Sequence, residues 1–208
     1  MAWRGGSPFG PCRLPTARRP RENEDVGSGF TTIGHSDRTL AEVIDMLRHA
    51  GVETLVDVRA FPRSRRNPAF NLETFPRELE IRQIGYEHLE GLGGRRPRQH
   101  AVNENCNALW RVQSFHNYAD YALGEPFARA FERLLELGRA RKLALMCSEA
   151  VWWRCHRRII VDYLLLGGNQ VDHLMGGGRI ESARPTPGAT RSASGKVIYP
   201  SSSTAMTA

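Results

Sequence analysis

Apolar residues recur along this chain in two alternating rhythms. Residues 30–33 read as a short first strand, and Leu40, Val43, Ile44 and Leu47 then follow at i, i+3, i+4 and i+7. That spacing lines up one face of an amphipathic helix. Ser36 or Asp37 is suited to cap its start, and Gly51 to end it. Residues 54–58 read as a buried strand, 71–82 as a short helix and 84–89 as an alternating third strand. A helical region carrying Phe115, Tyr118, Ala119 and Ala122 comes next. Pro126 then starts a stronger helix with Phe127, Ala130, Phe131 and Leu134 on one face. Residues 143–146 predict a fourth strand, 154–166 a helix stopped at Gly167-Gly168, and 170–174 a fifth strand.

Strand and helix alternate, so the expected fold is a single α/β domain with a mainly parallel sheet flanked by helices. The ends lack this periodicity. Residues 1–29 are rich in Gly, Pro and Arg, and 181–208 finish in Ser, Thr and Ala. The expected organisation is a disordered N-terminal tail over 1–29, the α/β domain over 30–180 and a disordered C-terminal tail over 181–208.

In a parallel sheet, ligands bind outside the carboxyl ends of the strands. His35 follows the first predicted strand, Arg59 and Arg65 the second, Arg95 the third, and Cys147 and Glu149 end the fourth. All would meet on one edge. The segment from Cys147 to Arg158 holds most of the chemistry, with Cys147, Glu149, Cys155, His156 and Arg157. A thiol near a helix N-terminus and beside arginines gains thiolate character. Cys147, Glu149, His156 and His35 are therefore the candidate catalytic residues, and Arg59, Arg65, Arg95 and Arg157 the candidate anion-binding set. Cys147 is expected to be more reactive than Cys106 or Cys155, because Cys155 falls on the same predicted helix face as Ile159 and Tyr163. Arg158 and Asp162, four residues apart, are expected to form a surface pair.

Cysteine and histidine are zinc ligand types. On a continuous helix, however, the adjacent Cys155 and His156 would diverge by roughly 100°. No metal site and no cofactor are therefore assigned from the sequence.

Charge changes this picture little. The chain carries a net charge of +7, but residues 30–180 hold 21 basic against 18 acidic groups, and the rest of the excess lies in the ends. That is weak support for a dedicated nucleic-acid binder. The expected partner is an anionic small molecule or nucleotide. Nucleic acid, gripped by the arginine-rich loop 59–67 and by Trp152 and Trp153, is the alternative. The sequence gives no oligomeric state. No run of eighteen or more apolar residues occurs, and the N-terminus has no apolar core of a secretory signal. A cytoplasmic protein with free thiols and no membrane partner is expected.

Residues 55–59 are similar to a rhodanese strand, and Cys147 stands where a rhodanese or cysteine phosphatase has its nucleophile. Between Cys147 and Arg154, however, lie six residues with two tryptophans and no glycine, so a backbone-amide anion cradle is not supported. A closer resemblance is to the bacterial and archaeal family called domain of unknown function 488. It rests on Thr32-Ile33-Gly34-His35-Ser36, Val56-Asp57-Val58-Arg59 with Pro62-Arg63-Ser64, and Asn67-Pro68 with Phe70-Asn71. It continues in Leu92-Gly93-Gly94-Arg95-Arg96, Tyr118-Ala119-Asp120-Tyr121, Cys147-x-Glu149-Ala150 and Cys155-His156-Arg157. It spans roughly residues 30 to 175. Glu90 and Trp152 stand where proline is usual, and the C-terminal stretch is altered over Glu181 to Pro187. The resemblance implies an α/β fold and a motif-rich site, and carries no established reaction.

Overall fold

The structure, a computed structural model, describes residues 29–201. Its centre is a six-stranded sheet in the order β3-β2-β4-β1-β5-β6. The strands are β1 (Phe30–Gly34), β2 (Thr54–Asp57), β3 (Gly85–His88), β4 (Leu143–Cys147), β5 (Val171–Gly176) and β6 (Arg179–Ser182). All pairs are parallel except β5 with β6. Five helices flank the sheet: α1 (Leu40–His49), α2 (Phe75–Glu80), α3 (Gln113–Ala122), α4 (Glu125–Ala140) and α5 (Arg157–Leu166). The expected α/β class and mainly parallel sheet are both present.

Alternation along the strands splits the core in two. Leu143, Leu145 and Cys147 of β4 join the cluster built from α3, α4 and α5, whereas Ala144 and Met146 join the one built from α1 and α2. In α1, Val43, Ile44 and Leu47 are buried as the periodicity predicts. Each such side chain contributes about 1.5–3 kcal/mol of hydrophobic stabilisation. The cap of α1 differs from expectation. Thr39 holds the N-cap in a reciprocal capping box with Glu42, three residues beyond Ser36.

Three further differences have local causes. The helix expected over 71–82 shortens to Phe75–Glu80, because residues before it form turns around Asn71. The helix expected from 154 begins at Arg157, because Trp152–Arg154 close a separate short 3-10 turn. The sixth strand, β6, was not anticipated. Gly177 and Gly178, at φ 59° and 74°, supply the left-handed pair of a tight hairpin turn that returns the chain against β5.

The expected C-terminal tail needs correction over its described part. Residues 181–201 pack onto the domain, ending with a small ladder of β7 (Thr190–Arg191) and β8 (Val197–Ile198). The cause is a buried polar hub. The Asp162 carboxylate accepts from Thr186 N at 2.7 Å and from the Tyr199 hydroxyl at 2.8 Å. Tyr199 N donates to Cys106 O, and Leu109 N donates to Tyr199 O. Asp162 is therefore buried and is not the surface partner of Arg158. Arg158 instead donates to Thr186 Oγ1 at 2.9 Å and lies over the Trp110 ring. The expectation for residues 1–29 falls, but for Gly29, outside the described residues, as does that for 202–208.

Topology positions the site. From β1 the chain passes through α1 to β2 on one side of β4. From β4 it passes through α5 to β5 on the far side of β1. Connections thus leave the neighbouring β1 and β4 in opposite directions, which opens a crevice at their carboxyl ends.

Candidate functional site

The last residues of these two strands face each other in register, Gly34 opposite Cys147. A Cβ on Gly34 would lie 2.0 Å from Glu149 O, so only glycine lets the loop after β4 fold across the end of β1. Around this crevice lies a cavity of about 410 Å³. His35, Arg59, Arg95, Cys147, Glu149 and His156 all line it. Six of the eight residues singled out in the sequence are thereby brought together. Arg65 is exposed and lies outside the lining, and Arg157 is buried beneath it.

Two of the candidate anion binders are committed elsewhere. Arg59 is 4% exposed and grips the fully buried Asp57, with Nε 2.9 Å from Oδ1 and Nη2 2.5 Å from Oδ2. It also donates to Phe70 O at 2.7 Å. The Arg59 backbone N–H, at 3.0 Å, and the Tyr86 hydroxyl, at 2.9 Å, also donate to Asp57. Arg157 donates from Nε to Cys155 Sγ at 3.3 Å and from Nη2 to Glu149 O. Both guanidinium groups hold the wall of the cavity rather than project into it.

His35 is fixed as well. Its ring stacks on Phe70 at 4.5 Å, Nδ1 lies 3.2 Å from Ser36 O, and Nε2 lies 3.3 Å from Arg59 Nη1. Arginine can only donate, so Nε2 accepts and Nδ1 carries the proton. Burial, and next the Arg59 charge, push His35 down to about 4. His35 is thus a neutral imidazole whose lone pair is already used.

The floor is made by Cys147, Cys155 and His156. Nε2 of His156 lies 2.9 Å from Val58 O and donates to it, which leaves Nδ1 as the acceptor. Nδ1 lies 3.7 Å from Cys155 Sγ and 4.0 Å from Cys147 Sγ. The adjacent residues 155 and 156 converge because neither lies inside a helix. Cys155 ends the 3-10 turn in extended conformation, and His156 is the N-cap of α5. The helical divergence expected from the sequence does not apply. Gly94 seats the imidazole, since a Cβ there would be 2.8 Å from Nδ1. Tyr118, donating its hydroxyl to Leu92 O, packs against the ring at 5.0 Å.

The two thiols are coupled to one another, and Arg157 acts on one of them directly. Burial opposes ionisation of Cys155, but the hydrogen bond with Cys147 and the Arg157 guanidinium outweigh it and bring Cys155 down to about 6. Cys147 beside it is pushed up to about 12, by that same contact with Cys155 and then by burial. The cause is again the position of α5, whose first turn places Arg157 against Cys155.

The rim holds further polar side chains. Arg63, Ser64, Ser148 and Arg154 line the cavity, and Arg95 and Arg154 make no ion pair among the described residues. The signal for Arg63 and Ser64 was their place after β2, as for Arg59. The short turn holding Arg154 had no such signal. Of the two tryptophans, Trp152 stacks on His173 at 4.3 Å and Trp153 is 48% exposed. No helix among the described residues is long and apolar enough to cross a membrane.

Fold and site together define an α/β protein with a buried thiol–imidazole floor beneath an arginine-bearing cavity, at the switch point of a parallel sheet. Residues 39–164 match the family described as domain of unknown function DUF488, and this covers more than half of the chain. The chain belongs to that family. No curated protein and no solved structure matches it.

Proposed function

We propose that this protein is an enzyme acting on an anionic small molecule, a nucleotide included. The substrate lies in the cavity with its reacting atoms over Cys147, Cys155 and His156. The observation that carries this reading is that floor together with the exposed Arg95 and Arg154, which make no ion pair among the described residues, at the rim of one cavity. A phosphate or carboxylate bound by these arginines gains charge-assisted hydrogen bonds. Glu149, exposed at the same rim, serves proton transfer at the water-facing side. Arg59 and Arg157 position the wall, and His35 shapes it.

The test is titration calorimetry of the full chain with pyrophosphate, a nucleoside monophosphate and a dicarboxylate. Binding of at least one is expected, weakened about tenfold or more by Arg95→Ala or Arg154→Ala, the loss expected for one charge-assisted contact. Absence of binding by all three would overturn the reading. Exposed Phe61, at 69%, and Trp153 favour a second reading, a binder of single-stranded nucleic acid without turnover. Tight, steeply salt-dependent binding of an oligonucleotide, with no binding of the small anions, would select it.

A further inference from the structure

We infer that Cys147 Sγ, Cys155 Sγ and His156 Nδ1 form a binding site for one zinc-class divalent metal ion, which takes its fourth ligand from the cavity. The site stands whatever anion binds above it. Among the described residues, these three side chains are the one group of such donors close enough to share an ion, with ligand atoms within 4.8 Å of one another. A tetrahedral zinc ion bonds sulfur at about 2.3 Å and nitrogen at about 2.0–2.1 Å, which sets its ligand atoms roughly 3.5–3.8 Å apart. The two nitrogen–sulfur separations, 3.7 and 4.0 Å, need to close by a few tenths of an ångström at most.

The surrounding contacts are those a bound ion requires. Ligating histidines donate their other ring nitrogen to a carbonyl or carboxylate, which fixes the tautomer. His156 does so, through Nε2 to Val58 O at 2.9 Å. Thiolate ligands need compensation of their charge, and Arg157, itself buried, donates to Cys155 Sγ at 3.3 Å. Two thiolates balance the charge of a divalent ion, so the metal with its sulfur ligands adds no net charge to the buried floor. Three protein ligands with a fourth supplied by water or substrate is the arrangement of catalytic rather than structural zinc. Since all three residues line the cavity, the ion faces the side from which a substrate enters. The donor set is soft, which favours zinc or cobalt over magnesium or calcium.

The test uses the full chain, reduced, stripped with chelator and reconstituted anaerobically with zinc or cobalt(II). One equivalent of zinc is expected after desalting. The cobalt protein is expected to show thiolate-to-metal charge transfer and the intense visible bands of a tetrahedral site. Bound zinc should slow alkylation of Cys147 and Cys155 but leave Cys106 unchanged. This readout needs no variant and survives any folding defect. Cys147→Ser, Cys155→Ser and His156→Gln should each weaken zinc by more than about tenfold, since loss of an outer-sphere partner alone costs that much. Cys106→Ser should leave it unchanged. The inference is overturned if the reduced protein retains no zinc, or if the cobalt spectrum lacks sulfur ligation. It is also overturned if zinc protects Cys106 as well as the floor. Zinc binding without binding of any anion or oligonucleotide would defeat the functional reading alone. Anion binding by a protein that retains no zinc would defeat the metal site alone.

Discussion

At the scale of single residues, the site rests on polar groups that are buried and saturated. Asp57 is the clearest case, fully enclosed and receiving donors from Arg59 and Tyr86. Removing one member of a buried pair strands the other's charge, at a cost of about 3–5 kcal/mol. Asp57→Ala should therefore lower the unfolding free energy by that amount, read from the fall in the urea midpoint. It should also loosen the cavity wall, because Arg59 Nη1 is what engages His35 Nε2. The sequence could show Val56-Asp57-Val58-Arg59 as a motif at a strand end. It could not show the Arg59 backbone N–H turning onto the Asp57 carboxylate, which needs the strand to end at residue 57.

At the scale of elements, legibility followed apolar periodicity. Helices α1 and α4 and strands β1, β2, β4 and β5 carry it and were placed within a few residues of their observed bounds. Where stability comes from isolated anchors, the pattern was silent. Residues 183–201 show no stripe, yet Val197 and Tyr199 are buried, and Asp162 fastens Thr186 and Tyr199. Tyr199→Phe, which removes only the hydroxyl bonded to Asp162, should cost about 1–3 kcal/mol and hasten proteolysis after residue 183. Pulse proteolysis compared with the unaltered chain measures both. The start of α5 at Arg157 is hidden in the sequence for a related reason. Trp152, Trp153, Arg154 and Cys155 are compatible with a helix in isolation, and the bonds of Arg157 to Cys155 and to Glu149 O accompany a break that only the folded crevice reveals.

At the scale of the whole molecule, two buried histidines couple stability to acidity. His173 accepts from or donates to Thr32 Oγ1 at 2.8 Å and stacks on Trp152, with Arg157 and Asp172 the charged groups acting on it. Burial, then Arg157, lower it from 6.5 to about 4. The folded protein thus binds fewer protons than the unfolded chain between these values. The stability linked to His173 is complete above pH 6.5 and is lost as pH falls towards 4, with His35 contributing in the same direction. Urea midpoints from pH 7 to 4 should fall, and His173→Gln should flatten the slope. An unchanged slope would mean that His173 binds its proton equally well in the folded and unfolded chain. The sheet also fixes the cavity in a simpler way, through the parity of β4. Odd positions 143, 145 and 147 look toward α3–α5, and even positions 144 and 146 toward α1 and α2. A gain or loss of one residue inside this strand exchanges the faces. The thiol would then sit behind the sheet, sealed from His156, with every other residue of the floor still present. A change of two would restore it. The chemistry of this crevice is thus written partly in an even-or-odd count, and single-residue length changes in β4 are the lesions it can least absorb.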